Sequence, residues 1–396
     1  MSISLIAVSS AGGIPLFCRQ KSNASSDGMP AFVTMASLNS VNLFSRLNET
    51  NLQVAITRDS AIYWKLFKGS IVLILVASVD SETSFREMNK FQMEPILDMI
   101  FDVIGSITGF HRLTETNTEN LKCFLRLSFS VVDHILDQLY TGNRLPLMFH
   151  GVEYSFPASW THPFMKVLID TASRLASSQF CCLLIRKRLF FATKPWWSSI
   201  SPSKDQLMII NLVNSFNLNE RQSSREMSIY LPTNSPNQPV RLIASVISHR
   251  TVLILLCGEQ PTAKQIQENI VDPLRSSQKD QEVLRRIVHE NRHFPQVDEN
   301  VITLVALHPE RNTYTVMGGI DVVRQRDLIR LIEMSNKIGG FKSLQAECYV
   351  DFKKYKGYFT ENKNSRLYFL FPVDLNLEKM RKIASKTQLI FSKEKK

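Results

Sequence analysis

The chain has 396 residues, 44% of them hydrophobic and 21% charged, and at roughly 100–200 residues per domain two or three domains are expected. Its 47 Lys and Arg against 36 Asp and Glu give a net charge of +11, which favours an acidic partner: an anionic membrane, nucleic acid or an acidic protein. The longest apolar run, 71–77, falls far short of the roughly 20 residues that cross a bilayer, and the opening MSISLIAVSSAGG lacks the basic start of a signal peptide, so a cytosolic chain is expected.

In chain order, ISLIAVSSAGGIPLFCR reads as two strands about Gly12-Gly13, and 31–47 as an apolar-rich helix through Met35, Leu38, Val41 and Phe44. Three strands follow, LQVAIT, IYWKLF and IVLILVASV; the last is apolar throughout and reads as central. Ser84 and Glu87 form a capping box for a helix with Pro95 inside it, and a further helix carries Leu121, Leu125, Val132, Ile135 and Leu139. The order is ββαβββαα. It recurs after an extra helix at 164–175. FCCLLIRKRLFFAT is a hairpin with Arg186-Lys187-Arg188 at its tip, KDQLMIINLVNSF a helix, MSIYL, VRLIASVIS and TVLILLCG strands, and 265–292 one long helix. It recurs again in VITLVALHPERNTYTVMGG, a helix at 326–338, the strands AECYVDFKKYKGYF and RLYFLFP, and a closing helix at 377–391. Three copies of one unit are expected at 1–145, 146–295 and 296–396.

His289-Glu290-x-x-His293 has the spacing that holds zinc on a helix. The buried face of that helix reads as Val283, Leu284, Ile287 and Val288. Both His fall on the opposite side with Arg285 and Arg292, and Gln296 and Glu299 occupy the positions where further motif residues would stand. No zinc site and no other cofactor is expected. No G-x-x-x-x-G-K-[ST], G-x-S-x-G or G-x-G-x-x-G occurs, so neither an NTPase nor a hydrolase is indicated. The six Cys form no C-x-x-C pair and read as reduced thiols. His134, on an apolar helix, reads as a core or boundary residue. A nucleic-acid reader would need aromatic residues interleaved with a basic stripe, and none is present.

The words filling this order are GIPLFCR (13–19), SLNSVNLF (37–44), YWKLF (63–67), FATKPWW (191–197), YLPTNSP (230–236), VRLI (240–243) and LLCG (255–258). In that order and spacing they resemble the Fuzzy family of planar cell polarity effectors, whose chains carry longin domains. The last third follows the element order only. The resemblance implies an α+β chain of three longin-like domains, each a mainly antiparallel five-stranded sheet with flanking helices. It implies pairing with an Inturned-like chain, and a pair acting as a guanine-nucleotide exchange factor for a Rab-family GTPase. Further ciliary planar-polarity effector subunits, cilium assembly, and a place in the cytoplasm at the base of the cilium are implied with it. The alternative is a non-catalytic adaptor that recruits ciliary transport or coat components. Neither reading carries GTPase-activating chemistry, and neither needs a cofactor.

For the partner contact the sequence offers Ser37, Asn39, Val41, Asn42, Leu43 and Phe44 on the first helix, with Trp196 and Trp197 after a strand. The tryptophans read equally as a lid on their own core. For an anionic membrane it offers Arg186, Lys187 and Arg188, with Lys379, Arg381, Lys382, Lys386 and Lys393 on the closing helix. Residues 297–396 hold 18 Lys and Arg against 12 Asp and Glu, and Lys353, Lys354 and Lys356 read as lying along one strand.

Overall fold

The computed structural model describes residues 2–22, 32–78, 90–141, 145–155, 161–219, 223–290, 297–338, 346–362 and 365–393. The Ser84–Glu87 capping box lies outside them.

The first unit runs β1 (Ser2–Ser9), β2 (Pro15–Ser22), α1 (Phe32–Leu47), β3 (Val54–Ile56), β4 (Ser60–Phe67), β5 (Ile71–Ser78), α2 (Lys90–Thr108), α3 (Thr118–Arg126) and α4 (Phe129–Tyr140). Its antiparallel sheet has the order β2-β1-β5-β4-β3. β5 is central because its run of Ile, Val and Leu is buried on both faces. Gly13, at φ +64°, closes the β1–β2 turn in the left-handed region, and a Cβ there would come within 2.0 Å of the Asn39 amide nitrogen.

Between the first and second units lie α5 (Leu145–Phe149), β6 (Val152–Glu153) and α6 (His162–Leu175). The second unit comprises β7 (Phe180–Ile185), β8 (Arg188–Ala192), α7 (Lys194–Ser199), a π-helical turn (Pro202–Gln206), α8 (Leu207–Ser215), β9 (Ser224–Leu231), β10 (Ser235–Ser248) and β11 (Thr251–Cys257). Its sheet, β8-β7-β11-β10-β9, repeats the first. The expected single helix at 265–292 is instead broken into α9 (Ala263–Ile266), a π-helical stretch, α10 (Asp272–Ser276) and α11 (Gln278–Glu290). Pro273 restarts the chain and Ser277 is extended (φ −76°, ψ 105°). The break lets the Gln281 amide donate to the carbonyls of Ile247 and Leu274 at 3.0 and 2.9 Å.

The third unit has β12 (Thr303–His308), β13 (Thr313–Met317), α12 (Val322–Ile338), β14 (Ala346–Asp351), β15 (Lys356–Glu361), β16 (Arg366–Phe371) and α13 (Leu377–Lys393). Its order, β14-β15-β16-β12-β13-β6, is the same plan with a sixth strand added. β6, which the sequence reading assigns to the second unit, pairs parallel with β13. Two residues on, the Ser155 N–H donates to the Leu189 carbonyl of β8 at 2.8 Å. The segment 152–155 thus stitches the edges of the second and third sheets. Lys353 and Lys354 sit in the β14–β15 turn, not along a strand; only Lys356 is in β15, its Nζ donating to the Leu375 carbonyl at 2.9 Å.

The cores explain how the units hold together. One continuous apolar cluster joins a face of the first sheet, α2, α3, α4, α8 and a face of the second sheet. α6 and α11 cover the second sheet's other face, and α12 and α13 cover the two faces of the third. Among the described helices, α1 alone covers the outer face of the first sheet, over a small cluster of Ile6, Val8, Trp64, Val72 and Ile74.

Candidate partner-binding site

α1 is held to its sheet by Met35 and Leu38 packing on that small cluster and by the Trp64 indole N–H donating to the Leu38 carbonyl at 3.3 Å. Its outer side carries Val33, Val41, Phe44 and Leu47, which are 72, 53, 69 and 83% exposed. Eight, three and three residues apart, they fall on one side of the helix and form one stripe along it. Of the residues read as partner contacts, Ser37, Val41 and Phe44 are exposed and Leu43 is half-buried. Asn39 and Asn42 are not on that side. Both are buried, and Asn39 Oδ1 and Asn42 Nδ2 have no hydrogen-bond partner among the described residues. The helix therefore buries two Asn beside Met35 and Leu38 and leaves four large apolar side chains outward, among Thr34, Ser37 and Ser40. At its foot a cleft of about 300 Å³ runs along Asn42, Arg46, Leu52 and Trp64.

Of the two tryptophans read as partner contacts, Trp196 is buried in its own core and cannot serve as an anchor, while Trp197 is half-buried. Trp196 is fully buried beneath α8's unit, and the Gln206 amide donates to its carbonyl at 3.0 Å. Trp197 lies edge-on to Tyr154 (5.9 Å between ring centres), with the Arg311 guanidinium 5.4 Å from its ring centre. It is an intrachain seam between the second and third units. FATKPWW puts both rings on a short helix, with Pro195 in its first turn.

The basic residues separate into groups. Arg186 and Lys187 form the β7–β8 turn, both in the left-handed region at φ 52° and 70°. Arg188 turns away from them to Glu153, at 2.9 Å. Burial still holds the Glu153 carboxyl above its ordinary range. On α13, Arg381 pairs with Glu347 and Lys382 with Glu378, each at 3.0 Å, while Lys379 and Lys386 are exposed. The Lys393 side chain lies outside the described residues. His289 is exposed on α11, His293 falls outside the described residues, and among those described no three His, Cys, Asp or Glu are placed to share a metal.

Two titratable groups lie where the first two units meet. Burial, aided by the charge of Lys187, pushes His134 on α4 down to about 4. The Gln138 amide nitrogen lies 2.9 Å from His134 Nε2 and donates to Asn211 of α8 at 3.1 Å. Asp102 on α2 is raised to about 6, again chiefly by burial, against the lowering pull of Lys204.

Comparison with known proteins agrees with this architecture. Models of the first and second longin domains of FUZ, MON1 and HPS1 match residues 4–139 and 176–271. The mouse protein fuzzy homolog is 29% identical over 276 residues, covering 68% of this chain and 62% of its own length. For the human homolog the figures are 29% over 290 residues, 69% and 64%, so the match spans less than two thirds of either mammalian protein. The Xenopus tropicalis homolog aligns over 99% of this chain and 98% of its own length at 23% identity. The chain belongs to the Fuzzy family of longin-domain proteins.

Proposed function

We propose that this chain is one half of a heterodimeric guanine-nucleotide exchange factor, paired with an Inturned-like longin protein and acting on a Rab-family GTPase in cilium assembly and planar polarity. The observation that carries the reading is the outward apolar stripe of α1. In the second unit the helix at the same place in the repeat, α8, is covered by α2 and α4. In the first unit no described element covers the equivalent surface, and a second longin chain supplies the cover. Exchange requires no nucleophile and no metal of this chain's own. The pair has only to bind the nucleotide-free GTPase more tightly than the loaded one, so that switch contacts to phosphate and magnesium are lost.

The test is release of labelled GDP from Rab-family GTPases with this chain, with the Inturned-like chain, and with both. Acceleration by the pair alone is expected, and Phe44→Asp should abolish it by preventing pairing. A pair that binds the GTPase with no acceleration would transfer the assignment to an adaptor that recruits ciliary transport or coat components. Further effector subunits, an anionic membrane contact through α13 and a position at the cilium base belong to the same proposal.

A further inference from the structure

A cavity of about 870 Å³ opens at the end of the second sheet, where the β7–β8 and β10–β11 turns meet the C-terminal end of α8. Its floor is apolar: Leu184, Val213, Val246 and Val252. Its rim is basic: Arg186, Lys187, His249 and Arg250, with no carboxylate among the described lining residues. The two turns are fixed side by side, since the Arg186 N–H donates to the Arg250 carbonyl at 2.9 Å. The Asn214 amide ties the Lys187 carbonyl to α8 at 3.1 Å. The positive charge also acts beyond the rim, for Lys187 helps to depress His134 on the neighbouring unit.

The residues at these turns are not the ones the backbone prefers. Arg186, Lys187 and Arg250 stand at φ 52°, 70° and 58°. Two-residue hairpin turns of this hand favour Asn-Gly, and long side chains stand there against a backbone preference. The corresponding β1–β2 turn of the first sheet uses Gly13 instead.

We infer that this cavity binds a short acidic peptide segment of a partner protein, with an apolar side chain on the floor and flanking carboxylates on Arg186, Lys187 and Arg250. The volume suits a few residues of peptide rather than a bare anion. The apolar floor gives an inorganic ion nothing to bury. A concave ring of cations fits an inserted segment better than a flat bilayer, and exposed Asn217 offers an amide for its main chain.

The experiment uses the intact chain and fluorescein-labelled nonapeptides with a central Leu, Phe or Trp flanked by Asp and Glu, against the same peptides with Lys in place of the acids. Fluorescence anisotropy should show saturable binding of the acidic set only, weakening as salt rises. Lys187→Gly with Arg250→Gly relieves the backbone while removing two charges. It should raise the melting temperature and weaken binding tenfold or more. Equal binding of both peptide sets, or acidic-peptide binding unchanged in the double variant, overturns the proposal. So does a variant that loses binding to phosphatidylserine vesicles, or to inorganic phosphate, while peptide binding is retained.

Discussion

α1 and α8 hold the same place in two copies of one fold, each following the first hairpin of its sheet, yet they are treated in opposite ways. α8, LMIINLVNS, is apolar nearly all round, and Leu207 through Val213 are buried between its own sheet and helices α2 and α4. α1 packs one side only, and among the described residues its outer stripe of Val33, Val41, Phe44 and Leu47 stays exposed. A helix hydrophobic all round is a buried helix. Where the chain supplies the cover, burial is complete; where no described element does, a contiguous apolar area stays exposed, the kind of surface that interaction sites use.

The sharpest way to break this comparison is to place the same charge on both helices. Ile209 is fully buried on α8. Ile209→Asp strands a carboxylate in a core shared by two units, a change that costs several kcal/mol, of the order of about 3–5, and takes a large part of a typical fold's stability. Loss of the cooperative melting transition, or collapse of the midpoint by ten degrees or more, is expected. Phe44→Asp on α1 should move the midpoint by no more than a degree or two and instead abolish association with the partner chain in size-exclusion chromatography. A Phe44→Asp protein that melts like the Ile209 variant would mean that α1's outer side is structural after all.

The cover over α8 should also depend on pH, and the cover over α1 should not. His134 is held near 4 against 6.5 when unfolded, so between those values the unfolded chain binds more protons and stability falls as the pH is lowered. A shift of that size is worth roughly 3 kcal/mol at most. His134→Gln, which keeps a hydrogen-bonding side chain beside Gln138, should flatten urea-denaturation stability over that window. Asp102 works with the opposite sign. Its folded value of about 6 lies above the unfolded 3.8, so the native state binds more protons in that window and the Asp102 contribution declines as pH rises. Asp102→Asn should stabilise at pH 7 and have no effect below about pH 4. A profile unchanged in either variant would remove that residue from the junction's titration.

Much of this was legible beforehand, for stated reasons. Strands such as IVLILVASV and the Gly12-Gly13 turn are recorded locally, in side-chain character and in the φ that glycine permits. The repeat was legible as element order. The covering of one helix by another unit is a long-range fact, and a 3.6-residue period does not say which side faces protein. LMIINLV carried a hint, since it has no polar side. SLNSVNLF misled because its two Asn look like a solvent face and instead point inward, packed partly against Gly13. Pro273 breaks the helix expected at 265–292, yet the amphipathic pattern on either side of it reads as one helix. The basic cavity escaped because its two turns lie about 60 residues apart and only the β7–β11 pairing brings them together.

A smaller test concerns those Asn residues. The Asn42 amide nitrogen is buried without a partner, and replacing such a group by an apolar one of similar size is expected to stabilise by about 1 kcal/mol. Asn42→Leu should raise the melting temperature by a few degrees and leave partner association within twofold, the mirror image of Phe44→Asp. If pairing is lost instead, the amide serves the partner and the inward placement changes on assembly.

The smallest effect on stability is expected on α13, whose outer face is charged where that of α1 is apolar. A basic residue near an anionic leaflet gains about 1 kcal/mol, within a Debye length of roughly 8 Å at physiological salt. Charges already met inside the chain add little net field, which separates the cations of this helix. Lys382 is paired with Glu378 and Arg381 with Glu347. Lys379 and Lys386 are exposed and, among the described residues, stand in no ion pair; behind the hydrogen bonds from Asn300, their charge helps to lower Asp298. Lys379→Gln with Lys386→Gln should therefore lower binding of the assembled pair to anionic liposomes, while solution exchange and the melting temperature stay as they were. Lys382→Gln with Glu378→Gln removes a pair without changing the net charge and should leave liposome binding as it was. Cosedimentation with phosphatidylserine liposomes at two salt concentrations reads both. Equal loss in the two variants would mean that the helix acts through its shape and not its charge, and no loss in either would place the membrane contact elsewhere.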